Sequence, residues 1–429
     1  MEDRRRVHLN DDRVARIVAV EDVNELPRSC RLYMLSWNLL YEVSAVRLTL
    51  MHRDFEVAEF DVDEATGGIG SNIKVLDRLH MPPGTIVEQQ LLDKHGLSRW
   101  WIGRCIPMSR TGVRDLLDPL GISLPSQLLT KSMGLSLSDS YWVRERSSDT
   151  RWKDVNFFDN DFSEDIGRLL FGQTVDTGHM DFSSPDVTSE GNLRKRWTTI
   201  DGRRCLLKGG SGPYKQEPFN EAMASCICRE LGIQHVDYDV MTIDGFPYSL
   251  CEDFVDGRTE YIAASHILKS YGSLGTESAY DKFVRICSLL DLDIVPFLND
   301  MIVLDYIIAN DDRHLNNFGL LRDAETLEWL GPAPVYDCGA SLGYNLLTSE
   351  FDAMVGRGCK PFKKTFEEQI RLAGSFDTSR LDGIHDAMPG IRRVLDSATG
   401  RLGRERVEAI ASLISNRTES ARKALTRIA

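Results

Sequence analysis

The stretch "MIVLDYIIANDDRHLNNFGLL" (301–321) sets the tightest limit on what this chain can become. An apolar run that reads as a buried helix leads in and a strand-like apolar run leads out. Between them Asp, Asn, Arg and His crowd into residues 310–317. Every buried polar atom must find a partner, so a plain junction between core elements would carry few such groups. Carboxylates and amides at this density suit the holding of cations and protons.

The totals bound the setting. With 429 residues there is room for two or three domains, and 42% hydrophobic with 27% charged residues is the balance of a folded globular protein. A formal charge of -14 argues against direct nucleic-acid binding, which depends on neutralising phosphates. The cysteines (30, 105, 205, 226, 228, 251, 287, 338, 359) form no CxxC pair, which fits reduced thiols better than a disulfide framework or a zinc site. No secretory pattern opens the chain, and Asp300 and Asp305 interrupt its most apolar segment, so a cytoplasmic protein without a membrane span is expected.

Three regions follow from the texture of the chain. Residues 1–150 form an N-terminal accessory domain of unassigned role. Within it "LYMLSWNLLYEVSAV" is apolar, and "VRLTLMHRDFEVAEFDVD" alternates as strands do. Trp100 and Trp101 are expected to anchor a core, and Arg104, Arg110 and Arg114 to form surface or interdomain salt links. In residues 151–255, "RKRWTTIDGRRCLLKGG" and "VDYDVMTIDGFPYSLCEDFV" each turn at an Asp-Gly pair, the signature of a type I′ hairpin. Between them Phe219, Met223, Cys226 and Ile227 mark one face of a helix that should stop at Gly232. Residues 256–429 read as mostly helical, with one short β segment at 318–337. The expectation is an α+β, two-lobed fold.

The polar cluster fits such a fold. Asp312 and Asn317 are five positions apart, the separation protein kinases use for the Asp that accepts the acceptor's proton and the Asn that binds magnesium. Twenty residues on, Asp337 in "APVYDCG" stands where a second metal ligand belongs. Lys208, at the end of a strand, suits the phosphate-contacting lysine, and Glu221, early on the next helix, its ion-pair partner. "LCEDFV" (250–255) falls where a hinge would contact adenine, through Glu252 and Phe254, or is simply a buried strand end. "GGSG" (209–212) is either a phosphate-approach loop or a connector.

"DDRHLNN", "PVYDCG" and "FNEAMASCICRELGI" together resemble HipA-like kinases, serine/threonine kinases that include bacterial toxin kinases. The resemblance covers about residues 160–429. It implies a kinase-like fold, with ATP and magnesium as cofactors, Asp312 as catalytic base, Asn317 and Asp337 as metal ligands, and Lys208 with Glu221 at the phosphates. Through "TSEGNLRK" it also implies a phosphate-binding loop of Thr188, Gly191 and Lys195, with Thr188 where the toxin kinases carry an autophosphorylated Ser. His314, between Asp312 and Asn317, joins the nucleotide site as the residue that orders the loop by hydrogen bonding. The implied acceptor is a protein Ser/Thr hydroxyl, and the implied partner a DNA-binding, antitoxin-like protein. A small-molecule or phosphoinositide kinase, and a nucleotide-binding module with little catalysis, are the alternatives.

Overall fold

A computed structural model describes residues 44–88, 91–272, 275–354 and 357–428. Cys30 and the apolar run from Leu32 lie outside them. The strands are β1 (Ala45–His52), β2 (Phe55–Asp63), β3 (Ile69–Val75), β4 (Ile86–Val87), β5 (Leu91–Leu92), β6 (Tyr141–Glu145), β7 (Lys195–Ile200), β8 (Arg203–Gly209), β9 (Asp239–Ile243), β10 (Phe246–Glu252), β11 (Thr259–Ala263), β12 (Gly319–Asp323) and β13 (Trp329–Pro332). The longer helices are α1 (Lys94–Gly103), α2 (Glu217–Leu231), α3 (Ala279–Leu289), α4 (Val295–Ile308), α5 (Gly383–Leu402) and α6 (Arg404–Thr426).

The first sheet runs β3-β2-β1-β6. One face packs Leu48, Leu50, Phe60 and Val62 against Trp101, Leu116 and Leu128, while Met51 and Trp142 pack with Leu135, Trp152 and Phe157 in a second cluster. Trp100 and Trp101 are core residues, as expected. The first core runs on past residue 150, taking in Ile166, Leu169, Leu170 and Val187.

The second sheet, β7-β8-β10-β9, is built from the two foreseen hairpins. Asp201 and Gly202 have φ of 49° and 75°, and Asp244 and Gly245 of 50° and 76°. Positive φ at both turn positions is what a two-residue type I′ turn demands, and it matches the right-handed twist of the strands. Phe219, Met223 and Ile227 of α2 are buried, and the helix stops at Gly232, whose φ is 65°. Behind α2 lies the largest core, formed by α3–α6 with β11-β12-β13. Among the described residues, no helix is long and apolar enough to cross a membrane.

Strand β11 falls in sequence expected to be helical. Its inward positions are Glu260 and Ile262, so an ionisable side chain stands where the apolar alternation should continue. Glu260 is fully buried because its carboxylate is fully used. Oε1 accepts from His52 Nε2 at 2.7 Å and from the Ser140 N–H at 2.9 Å, and Oε2 accepts from Arg322 at 2.6 Å. His52 in turn meets His80 at 2.8 Å, Nδ1 to Nδ1. His52 of β1, the backbone just before β6, Glu260 of β11 and Arg322 of β12 thus meet in one buried cluster.

Burial alone would raise the Glu260 carboxyl, but His52 and Arg322 outweigh it and hold it at about 2, against 4.5 for a free Glu. A depressed carboxylate stabilises the fold above its unfolded value, and that contribution is lost as pH falls toward the folded value. Glu260→Ala strands Arg322 without a counter-charge and His52 without its hydrogen-bond partner, and should cost about 3–5 kcal/mol in urea unfolding at pH 7. Between about pH 5 and pH 2 the wild type should lose a share of its stability that the variant no longer has.

Candidate active site

The site begins with the register of the second sheet. Lys195 on β7 is the cross-strand partner of Lys208 on β8, so the two side chains leave the same face. Like charges directly opposite are unfavourable unless anions are supplied. For Lys208 the protein supplies them: Nζ lies 3.2 Å from Glu221 Oε1 and also contacts Asp337 Oδ1. Burial works against the Lys208 charge, yet Asp337 and Glu221 raise its pKa, so it remains an ammonium. Burial raises Glu221, whose Oε2 accepts the Cys338 N–H at 2.7 Å. Desolvation opposes the Asp337 charge too, but Lys208 lowers its pKa and keeps it ionised. Among the described residues, Lys195 has no such carboxylate at contact. Desolvation first, then Arg110 and Lys208, push it down to about 7. An arriving polyanion would reverse that shift.

The loop 310–317 is ordered from within. Arg313 is fully buried and grips Asp305 of α4 with both prongs, Nε–Oδ2 at 2.9 Å and Nη2–Oδ1 at 3.0 Å. Its remaining donors reach the Asn317 carbonyl at 3.1 Å, the Tyr336 carbonyl and Cys338 Sγ. One guanidinium therefore ties the helix, the polar loop and the Asp337 segment together. Sequence reasoning passed over this pair. The signal was present as Asp305 within an apolar helix and an Arg eight residues on.

Around that anchor the foreseen residues take their places. Asn317 is buried, and its Nδ2 donates to the Asp312 carbonyl at 3.2 Å, which leaves Oδ1 for a cation. His314 Nδ1 accepts the Asn316 N–H at 3.2 Å. The Asn316 carbonyl accepts from the hydroxyls of Tyr261 at 2.9 Å and Tyr336 at 2.8 Å. Phe254 packs on the same two rings, with centroids 5.8 and 5.4 Å away. The Asp312 carboxylate is half exposed and holds Lys360 Nζ at 2.6 Å.

Two foreseen side chains point elsewhere. Glu252 is exposed and paired with Arg203 at 3.3 Å, because it ends β10 on the solvent side. The Thr188 hydroxyl is buried and donates to the Leu135 carbonyl at 2.6 Å, away from the lysines. Gly191, at φ 91°, has the Lys195 ammonium above it, so that part of the loop does face the cleft. Arg104 and Arg110, expected in surface or interdomain salt links, are both buried. Arg104 pairs with Asp139 at 2.6 Å, and Arg110 clamps the loop through the Gly191 carbonyl at 2.8 Å and Ser189 Oγ at 2.7 Å. Arg114 is exposed beside Asp118. Beside the loop, a groove of about 680 Å³ is bordered by Ile106, Met108, Glu190 and Asn316.

The amide oxygen of Asn317 and the free carboxylate oxygen of Asp337 are hard donors on adjoining segments. Such a pair suits magnesium, which takes few protein ligands and completes its shell with phosphate oxygens and water.

Residues 187–399 match the family model described as the HipA-like C-terminal domain. The chain carries a HipA-like C-terminal domain. Among solved structures, the Helicobacter pylori proinflammatory kinase CtkA aligns at 18% identity over 55% of this chain and 94% of its own, with a TM-score of 0.42. HipA of Shewanella oneidensis MR-1, solved with HipB and operator DNA, aligns at 15% identity over 89% of this chain and 97% of its own, with a TM-score of 0.48. None of the curated proteins compared with it matches the chain. The matched segment contains Lys208, Glu221, Asp312, Asn317 and Asp337.

Arg313→Met should lower stability by about 3–5 kcal/mol in urea unfolding, since it leaves Asp305 buried and unpaired. Adding Asp305→Leu should recover much of that loss, because an apolar pair replaces the lone charge. Nucleotide binding should stay impaired in the double variant, because the ties to Asn317 and Tyr336 are still missing. Full recovery of binding would refute the ordering role of Arg313.

Proposed function

We propose that this chain is an ATP- and magnesium-dependent kinase whose acceptor is a protein Ser/Thr hydroxyl. One observation carries the reading. Lys208 reaches both Glu221 and Asp337, the latter 129 positions away, beside a loop that presents Asp312 and Asn317. Lysine, carboxylate, base and two hard-oxygen donors on separate elements are what phosphoryl transfer requires, because that reaction asks mainly for position and charge neutralisation.

Lys208 and Lys195 meet the phosphates, and Glu221 holds Lys208 in place. Magnesium, held by Asn317 and Asp337, would neutralise charge on the phosphate oxygens. A lone pair of the acceptor oxygen forms the new bond to the γ-phosphorus. The bond from that phosphorus to the β–γ bridging oxygen breaks, its electrons leaving with ADP. The acceptor's proton passes to the Asp312 carboxylate and then to solvent. Asp312 is 45% exposed, which favours a hydroxyl carried on a macromolecule over an enclosed small molecule.

Asp312 acts as phosphate moves, not when ATP docks. Asp312→Asn should cut transfer of labelled γ-phosphate to casein by roughly two to four orders of magnitude, with ATP affinity nearly unchanged. Lys208→Ala should weaken both, because its charge meets the phosphates in the ground state as well as the transition state. If Asp312→Asn transfers phosphate at the wild-type rate, Asp312 is not the base. If the wild type binds no ATP, the kinase reading fails as a whole.

A further inference from the structure

Asp312 is not alone at the mouth of the cleft. Lys360, 48 positions later, sets its ammonium 2.6 Å from Asp312 Oδ1. Most ion pairs with both partners half exposed are worth little, and side-chain entropy usually keeps them loose. The backbone beneath this one is built more firmly. Gln369, itself 2% exposed, donates from Nε2 to the Lys360 carbonyl at 2.7 Å. Its Oε1 accepts from the backbone N–H groups of Phe362 at 3.0 Å and Lys363 at 3.3 Å. The Cys359 N–H donates to the Lys364 carbonyl at 3.0 Å, and Thr365 and Glu368 cap the helix that carries Gln369. A buried amide of the second-lobe core thus fixes the point from which Lys360 reaches out.

The same segment makes a second matched contact. Arg357 pairs with Asp311 at 3.2 Å, so two cations three positions apart meet two consecutive carboxylates of the polar loop. The loop's own arginine is committed elsewhere, Arg313 to Asp305. Among the described residues, Lys360 is the cation that reaches Asp312.

We propose that Lys360 is a positioning residue of the phosphoryl transfer: it holds one oxygen of the Asp312 carboxylate and leaves the other turned toward the acceptor hydroxyl. The inference rests on the reading of Asp312 as proton acceptor. A held carboxylate keeps one rotamer, and small errors in the placement of a reacting group are costly. The side-chain contact that Lys360 makes is with Asp312, whereas Lys195 and Lys208 meet the phosphates, so its effect belongs to turnover rather than to ATP binding.

The test measures single-turnover transfer from magnesium ATP to dephosphorylated casein, with thermal unfolding of each variant alongside. Lys360→Ala should lower the transfer rate about 10- to 100-fold while the ATP dissociation constant stays within about twofold. Lys360→Arg, which keeps a cation in reach, should restore most of the rate. Lys364→Ala, a charge lost from an exposed neighbour on the same segment, should behave as wild type. In an Asp312→Asn background, Lys360→Ala should cause no further loss, since a residue acting through Asp312 has nothing left to act on. Wild-type transfer by Lys360→Ala overturns the proposal. So does a loss that Arg does not restore, or one that adds to that of Asp312→Asn. Equal transfer by wild type and Asp312→Asn would instead mean that the assignment of Asp312 itself has failed.

Discussion

The buried contact between Arg313 and Asp305 is the constraint on which the site depends. An unpaired charge in this position would be prohibitive, so the two residues must meet, and in meeting they fix the polar loop to α4. The pair is not needed for stability in itself, since an apolar pair could fill the same space. What it adds is direction. A guanidinium has five donors in a rigid fork, and those that Asp305 leaves reach the carbonyls of Asn317 and Tyr336. The residues after those carbonyls come under the same control, so Asp337 is delivered to Lys208 and Glu221.

Seen from the other lobe, the same arrangement is a problem of unbalanced charge. Lys195 and Lys208 lie opposite each other on neighbouring strands, and among the described residues carboxylates lie at contact distance from Lys208 but not from Lys195. Asp337 therefore faces competing claims: a direct contact with Lys208, and the demand of any cation that also binds Asn317. An arriving metal–polyphosphate complex would meet both claims, its phosphates taking up the lysines and its cation the carboxylate. This gives a physical reason for a residue in left-handed backbone conformation, φ 56°, to stand at this point.

What the sequence made legible was local. Asp-Gly turns, the apolar face of α2 with its Gly232 stop, and the five-residue step from Asp312 to Asn317 each depend on neighbours a few positions away. Chain order sufficed to pick out Lys208 and Glu221, which the structure brings together with Asp337. The rest was decided by long-range pairing. Glu260 hid strand β11, because its partners His52 and Arg322 come from other strands. Arg104 and Arg110 looked like members of surface or interdomain salt links because Asp139 and the Gly191 carbonyl are distant in the chain. Glu252 and Thr188 were matched by position, but a side chain's direction follows from strand ends and neighbours such as Arg203 and Leu135. Lys360 gave no sign, since only a folded Gln369 clamp aims it at Asp312.

The central claim is that Asn317, Asp337 and Lys208 form one receptor for a metal–nucleotide complex, and calorimetry of ATP binding tests it most directly. The wild type should bind ATP much more tightly in magnesium than in EDTA, and Asp337→Ala should erase most of that difference by removing the anionic ligand. An identical dependence on magnesium in the two proteins would contradict the account.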